Sequence, residues 1–267
     1  MALMKCTFLS KSLKTMVKIN VIIPSLNFED VMSNRSKESR GNVKFQTLYL
    51  LHGYTGDESD WQRFTGIERY AENNKIAVIM PAAGNSFYTD MVHGGDYFTY
   101  LTEELPAFVQ AMFPVSAKKE DTFIAGLSMG GYGAFKIAMR YPERYHAAAS
   151  LSGVVEISEA VLKEERKDMK LENVFGDLNK VRGSKHDLLH LAEQLIKDGK
   201  SIPKLYQACG TEDFLYRNNI KFKKQAEQIG LGIHYVEGPG IHDWNFWDEY
   251  IRKVLEWMPL LREPIKK

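Results

Sequence analysis

Short apolar runs alternate with longer amphipathic stretches along most of the chain. Runs that are apolar on both faces are typical of strands buried in a parallel sheet. They read FQTLYLLHG, KIAVIMP, DTFIAG, YHAAASLSG, PKLYQACG and GIHYVEG. Segments with helical periodicity lie between them, at 60–73, 97–113, 131–141, 218–230 and from Asp248 onward. This alternation predicts an open, mostly parallel α/β sheet with helices on both faces.

Two parts of the chain depart from this alternation. At the N-terminus, KCTFLS and TMVKINVIIP predict an antiparallel hairpin that turns around Lys11–Lys14, followed by a long surface loop, NFEDVMSNRSKESRGN. Further on, Val155–Ser201 is rich in charged residues and predicts two or three amphipathic helices without a strand. This helical insertion is either a cap over the carboxyl edge of the sheet or a solvated excursion. We expect a single domain over 1–267.

Composition narrows the class of protein. With 267 residues, 44% hydrophobic and 26% charged, the chain is that of an ordinary globular protein. Its net charge of +1 provides no overall field for nucleic acid or a membrane surface. Cys6 and Cys209 suggest neither a disulfide framework nor a metal cluster. The N-terminus lacks the apolar run of a signal peptide, so we expect a cytoplasmic protein.

The stretch IAGLSMGGYGAF places four glycines around Ser128. Glycine weakens a helix, so this concentration at a helix start needs a reason. Gly-x-Ser-x-Gly between a strand and a helix is the nucleophile elbow, a turn so tight that side chains at Gly126 and Gly130 would collide. The pattern predicts that Ser128 is exposed at a helix N-terminus, where backbone N–H groups favour developing negative charge. The alternative is a glycine-rich turn with an incidental serine.

A serine nucleophile needs a general base, and in this fold the histidine follows the acid along the chain. The histidines after the serine are His146, His186, His190, His234 and His242. His146 begins the strand directly after the elbow helix, and His234 alternates within a strand. His186 and His190 have the spacing of metal ligands, but no third ligand accompanies them, so a solvated helical pair is favoured. His242 lies in the loop of GPGIHDWNFW, where a base can reach the serine.

The acid is less well defined by the residues alone. The loop after LYQACG offers both Glu212 and Asp213 at the carboxyl edge of the sheet. Asp243 is next to His242, but neighbouring side chains on an extended loop point apart. The choice between Glu212 and Asp213 stays open at this stage.

An oxyanion hole needs two backbone donors. The N–H of Met129, the residue after the nucleophile, supplies one. The strand in YLLHGYTGD ends at His52-Gly53, so the N–H of Tyr54 is the expected second donor. The alternative is that HGYTGD is only a turn. Among nearby aromatic residues, Trp61, Tyr88 and Trp244 are candidates to line a substrate pocket, Trp244 most of all because it lies beside the base.

Several motifs together resemble the bacterial tributyrin esterase family. They occur in the family's order from about Val17 to Trp257, and read LLHGYTGDESDW, NSFYTD, EELP, GLSMGGYGA, YPERYHAAASLSG, CGTEDFLY and HDWNFW. This family is part of the esterase D-like α/β hydrolases, which include S-formylglutathione hydrolases and feruloyl and acetylxylan esterases. Its pattern assigns Ser128 as nucleophile, His242 as base and Asp213, rather than Glu212, as acid. The segment MVHGGD departs from the pattern, so the resemblance does not define the pocket shape.

The resemblance implies an α/β-hydrolase fold and hydrolysis of short-chain carboxylic esters without a cofactor or metal. Tyr54 and Met129 match the family's oxyanion-hole positions. The expected partner is a small-molecule ester, and self-association of the chain is left open. An S-acyl glutathione thioesterase or an acyltransferase would use the same three residues, and a non-enzymatic binding protein would be expected to have lost them.

Overall fold

The computed structural model describes residues 1–25, 43–157, 168–262 and 265. Its sheet has eight strands in the order β1-β2-β4-β3-β5-β6-β7-β8. They are β1 (Ala2–Ser10), β2 (Thr15–Ile23), β3 (Thr47–Leu51), β4 (Ala77–Pro81), β5 (Thr122–Leu127), β6 (Ala147–Leu151), β7 (Lys204–Gly210) and β8 (Ile233–Gly238). Each strand predicted from an apolar run is therefore present. The predicted surface loop at 27–42 lies outside the described residues.

The first two strands form the predicted antiparallel hairpin, from Ala2 opposite Ile23 to Ser10 opposite Thr15. Strand β2 also runs antiparallel to β4, whereas all remaining neighbours in the sheet are parallel. Parallel strands end at a common edge, so the loops after β3 to β8 meet there. That edge is where an open α/β sheet binds its ligands.

Helices cover the two faces of the sheet. They are α1 (Asp60–Phe64), α2 (Ile67–Asn74), α3 (Leu105–Met112), α4 (Met129–Arg140), α5 (Leu171–Phe175), α6 (Leu188–Lys197), α7 (Tyr216–Gln228) and α8 (Trp244–Trp257). A short helix, Tyr97–Thr99, and a π-helical segment, Tyr100–Glu104, lead into α3.

Alternate residues of the strands contribute to two separate cores. In β3, Leu48 and Leu50 belong to a core shared with α1, α2 and α8, whereas Tyr49 and Leu51 belong to a core shared with α3, α4, α6 and α7. Because a strand directs successive side chains to opposite faces, a fully apolar strand requires helices on both. The predicted α/β class is confirmed.

Several helix boundaries differ from the sequence prediction, and for two of them the structure shows the cause. The helix expected over 60–73 is divided into α1 and α2, because Thr65 is extended (φ −137°, ψ 170°) and the N–H of Gly66 donates to Asp248 Oδ1 at 2.9 Å. Helix α8 begins at Trp244 and not at Asp248. The Asp243 carboxylate caps it by accepting the N–H of Phe246 at 3.1 Å.

The segment 155–201 inserts helices between β6 and β7, as predicted. Its described part contains α5, a short 3₁₀ turn at Leu178–Lys180 and α6, and no strand. Helix α6 is amphipathic and packs against α4, which follows the elbow serine. The assignment of the whole chain to a single domain stays a prediction.

Candidate active site

The nucleophile elbow lies between β5 and α4. Ser128 has φ 52° and ψ −115°, a backbone conformation that residues other than glycine rarely adopt. A Cβ atom at Gly126 would overlap the backbone of Gly130, and one at Gly130 would lie 2.5 Å from the carbonyl oxygen of Leu51. The glycines therefore allow β5, α4 and the end of β3 to pack closely around a strained turn. The serine consequently lies directly before the N-terminus of α4.

Three side chains from separate loops form a hydrogen-bonded relay. His242 Nε2 lies 3.0 Å from Ser128 Oγ, and His242 Nδ1 lies 2.8 Å from Asp213 Oδ2. The other oxygen of Asp213, Oδ1, accepts the N–H of Leu215 at 2.8 Å. Because the carboxylate can only accept, the proton of the neutral ring lies on Nδ1, and Nε2 is free to accept the serine proton. The arrangement can activate a hydroxyl for attack on an acyl carbon.

The acid of this relay is buried, with a side chain of Asp213 that is 0% exposed. Burial alone would raise the pKa of Asp213, but the hydrogen bond and charge of His242 and the N–H of Leu215 hold that pKa below its ordinary value. The carboxylate is therefore ionised at neutral pH. It can stabilise the positive charge that the ring acquires when it takes a proton.

The rival acids have other partners. Glu212 Oε2 accepts the N–H of Gly240 at 2.6 Å, and this bond lowers the pKa of Glu212. It thereby joins the loop of the acid to the loop of His242. Asp243 caps α8, as described above. Neither carboxylate contacts the ring of His242 through a hydrogen bond among the described residues.

The remaining candidate histidines lie away from the relay. His146 bonds the carbonyl of Glu120 at 3.0 Å, and the ring of His234 lies beside those of Tyr206 and Trp257, with centroids 5.2 and 6.1 Å away. His186 is buried beside the amine of a lysine, and burial and that charge lower its pKa to about 3. His190 is half-buried on α6. Within the described ranges no group of three or more His, Cys, Asp or Glu side chains could hold a metal ion.

The expected oxyanion donors border the same opening as the serine. Met129 is the first residue of α4, so its N–H has no acceptor within the helix. In the described part of the chain, no hydrogen bond from the N–H of Tyr54 is found either. Both residues line the cavity at Ser128.

His52 holds the loop that carries Tyr54. Its Nε2 accepts the N–H of Ala83 at 3.0 Å, so its Nδ1 carries the proton and donates to the carbonyl of Gly53 at 2.7 Å. The ring is 1% exposed, and burial lowers its pKa, which keeps it neutral. This role of His52 was not predicted from the sequence, although its place directly after β3 was a signal for it.

A cavity of about 770 Å³ opens at Ser128. Its apolar walls come from several elements and include Phe64, Phe87, Met169, Leu171, Phe214, Trp244 and Trp247. Met169 and Leu171 belong to the helical insertion, so this segment contributes to the wall of the cavity. Such a volume is typical of a small-molecule site.

The expected aromatic residues lie in different places. Trp244 lines the cavity and stacks on Phe64, with ring centroids 5.0 Å apart. Trp61 instead lies in the core, 1% exposed, and donates its indole N–H to the carbonyl of Leu51 at 3.0 Å. Tyr88 is also buried, and its hydroxyl donates to the carbonyl of His52 at 2.8 Å. Both side chains therefore bond the backbone at the end of β3, and neither is among the described walls of the cavity.

A strained elbow serine, a histidine and a buried carboxylate at the carboxyl edge of this sheet define an α/β hydrolase. The Esterase family, described as "Putative esterase", matches residues 10–258, and the chain belongs to it. No helix in the described ranges is long and apolar enough to cross a membrane. The expected cytoplasmic location stays a prediction.

Relatives cover nearly the whole chain. An acetyl esterase from Caldicellulosiruptor saccharolyticus is 36% identical over 265 residues, which span 97% of this chain and 98% of the relative. The substrate-bound structure of the fluorophosphonate-binding serine hydrolase F of Staphylococcus aureus is similar with a TM-score of 0.88 at 35% identity, over 96% of this chain and 98% of that one. An S-formylglutathione hydrolase from the same species gives a TM-score of 0.83 at 35% identity over the same shares.

Proposed function

We propose that the protein hydrolyses short-chain carboxylic esters through an acyl-enzyme formed on Ser128. The observation that carries this proposal is the relay from Asp213 through His242 to Ser128, with bonds of 2.8 and 3.0 Å, at the mouth of a cavity. Membership in the Esterase family and the identity to an acetyl esterase support it.

The geometry supports the following reaction. His242 Nε2 removes the proton of Ser128 as the serine oxygen bonds to the ester carbonyl carbon. The N–H groups of Tyr54 and Met129 stabilise the oxyanion, and loss of one such donor typically costs about 2.7–4 kcal/mol. The bond from carbon to the alkoxy oxygen then breaks, and His242 delivers its proton to the leaving alcohol. Water repeats the sequence on the acyl-enzyme and releases the acid.

The cavity supports an ester with an uncharged alcohol part. Its volume of about 770 Å³ exceeds what an acetyl or butyryl group fills, so space remains for the alcohol. The charged residues among its described walls are Asp60, Asp168 and Asp243, and no lysine or arginine is among them. A negative wall disfavours anionic substrates.

A thioesterase that acts on an S-acyl glutathione is the second candidate, because the chain is 35% identical in sequence to an S-formylglutathione hydrolase. Glutathione carries a net negative charge, which the carboxylates of the cavity would repel. We therefore expect 4-nitrophenyl acetate to be hydrolysed with a higher kcat/KM than S-acetylglutathione. The reverse order would favour the thioesterase. Product analysis with added alcohol would detect an acyltransferase.

The proposal is tested with the 4-nitrophenyl esters of acetate, butyrate and octanoate. We expect Ser128→Ala to lower kcat by about 10⁶-fold, close to background. Ser201→Ala, an exposed serine outside the cavity, is the matched control and should retain wild-type turnover. Unchanged turnover in a folded Ser128→Ala variant would exclude this serine as the nucleophile. A wild type that is inactive on all three esters would reject the esterase proposal.

A further inference from the structure

Two buried amide side chains bond segments next to the relay, and neither is among the described walls of the cavity. Gln207 is on β7 and Asn219 is in the first turn of α7, and both are 0% exposed. The mechanism above uses neither. Buried amides cost free energy unless their hydrogen bonds are satisfied, so their partners indicate what they hold together.

The side chain of Asn219 joins three elements. Its Nδ2 donates to the carbonyl oxygens of Gly153 and Leu215, each at 3.0 Å, and its Oδ1 accepts from Gln207 Nε2 at 2.9 Å. The orientation of the amide follows from its partners, because two carbonyls can face only the NH₂ group. The Nε2 of Gln207 also donates to the backbone carbonyl of Asn219 at 3.0 Å and fixes it from the other side.

The two carbonyls belong to the segments that hold the nucleophile and the acid. The N–H of Leu215 donates to Asp213 Oδ1 at 2.8 Å. Gly153 directly precedes Val154, whose N–H donates to the carbonyl of Ser128 at 3.2 Å. A single amide thus connects the loop of the acid with the segment that supports the elbow.

We propose that Asn219 is a positioning residue that fixes the distance between Asp213 and Ser128, so that His242 reaches both at once. This inference rests on the proposed function. A ring with one bond of 2.8 Å and one of 3.0 Å to groups on separate loops tolerates little displacement of either loop. A misplacement of about 1 Å in a catalytic group can cost about 100-fold in rate.

The test compares Asn219→Ala with Asn218→Ala under identical conditions. Asn218 is the preceding residue of α7, half-buried, and has no side-chain hydrogen bond within the described ranges, so it is a matched control. For Asn219→Ala we expect kcat to fall by about 10- to 100-fold while KM changes less than about threefold. The second-order rate of labelling by a fluorophosphonate should fall in parallel. Asn218→Ala should stay within about twofold of wild type in these rates.

A proton NMR measurement separates positioning from packing alone. The proton between His242 Nδ1 and Asp213 gives a resonance far downfield of ordinary amides, and we expect it to shift or broaden in Asn219→Ala. A folded Asn219→Ala variant with wild-type kcat would overturn the proposal, and so would a lower kcat with an unchanged resonance. If alanine prevents folding, Asn219→Ser keeps one short donor that cannot reach both carbonyls. A lower kcat at unchanged KM in that variant supports positioning, and wild-type kcat overturns it.

Wild type and Ser128→Ala are measured beside these variants. If wild type hydrolyses the ester and Ser128→Ala does not, the esterase proposal stands whatever Asn219 does. Equal rates in wild type and Asn219→Ala would then reject the positioning role only. An inactive wild type would reject the proposed function itself.

Discussion

Replacing Asp213 by asparagine should keep residue 213, His242 and Ser128 hydrogen-bonded, but it should reverse which partner donates in each bond. The N–H of Leu215 requires an oxygen at its present acceptor, 2.8 Å away, so the amide oxygen of asparagine takes that side. The NH₂ group of the asparagine then faces His242 Nδ1. In the wild type, a carboxylate oxygen accepts the Nδ1 proton at this contact of 2.8 Å. Two donors cannot share that contact. The ring must therefore carry its proton on Nε2 and present a donor to Ser128.

The magnitude follows from the loss of the general base. With Nε2 protonated, the ring cannot accept the serine proton, and the analogous substitution in a serine protease triad lowers kcat by about 10⁴-fold. That factor corresponds to about 5.4 kcal/mol of barrier. We expect Asp213→Asn to show this loss on 4-nitrophenyl acetate with a nearly unchanged KM. Circular dichroism and a thermal melt check that the variant is folded.

The two other acids serve as controls. Glu212→Gln and Asp243→Asn keep an oxygen that accepts the N–H groups of Gly240 and Phe246. Both variants should therefore retain activity within about threefold, because each keeps the acceptor of its backbone bond; exchange of Asp for Asn at the N-cap of α8 is also nearly neutral. The reasoning would be refuted if folded Asp213→Asn kept more than a tenth of wild-type kcat, or if either control lost as much activity as Asp213→Asn.

Three further predictions concern stability. Gly130→Ala should lower the free energy of unfolding in urea by about 1–3 kcal/mol, because its Cβ would overlap two backbone carbonyls, whereas Gly232→Ala, with open space around it, should not. The pKa of Asp213 is lower in the folded protein than its ordinary value of 3.8. The ionised carboxylate therefore stabilises the fold at pH values above 3.8, and this stabilisation is lost as the pH falls through the folded-state pKa. Asp213→Asn should abolish this part of the pH dependence of the free energy of unfolding. Burial and nearby cations lower the pKa of Lys136, so the melting temperature of Lys136→Met relative to wild type should be higher at pH 6 than at pH 9. Equal differences at the two pH values would contradict that account.

The centre of the sheet was predictable because β3 to β7 are buried on both faces. The run of β3, from Thr47 to Leu51, is buried throughout, as its nearly uniform apolar pattern predicts for a strand covered on both faces. The breaks between helices were not predictable in the same way. The break at Gly66 depends on the carboxylate of Asp248, which is 182 positions away along the chain. A local pattern contains no information about such a partner.

Some residues of the candidate site were likewise predictable from local sequence, and others were not. Ser128 and His242 follow from local motifs, because an elbow needs its glycines and a base needs a loop at the end of a strand. The choice of Asp213 over Glu212 came from the family resemblance, and the residues alone did not decide it. Trp61 was expected to line the substrate pocket because it follows a loop of the site in sequence. It lies in the core instead. Depth below the sheet edge depends on packing that no short stretch encodes.

Strain at the carboxyl edge of the sheet links these observations. Residues other than glycine with positive φ occur after four adjacent parallel strands: Thr55 after β3, Phe87 and Tyr88 after β4, Ser128 after β5, and Ser152 after β6. Each such residue costs about 1–3 kcal/mol and persists only where the surrounding packing determines the backbone. The strands therefore hold Ser128 and the loop of Tyr54 and Thr55 in one rigid arrangement. The cavity walls formed by Phe64, Phe214 and the insertion at 168–171 lie outside that arrangement. Substitutions there should alter acyl and alcohol preference more than the rate of the chemical step.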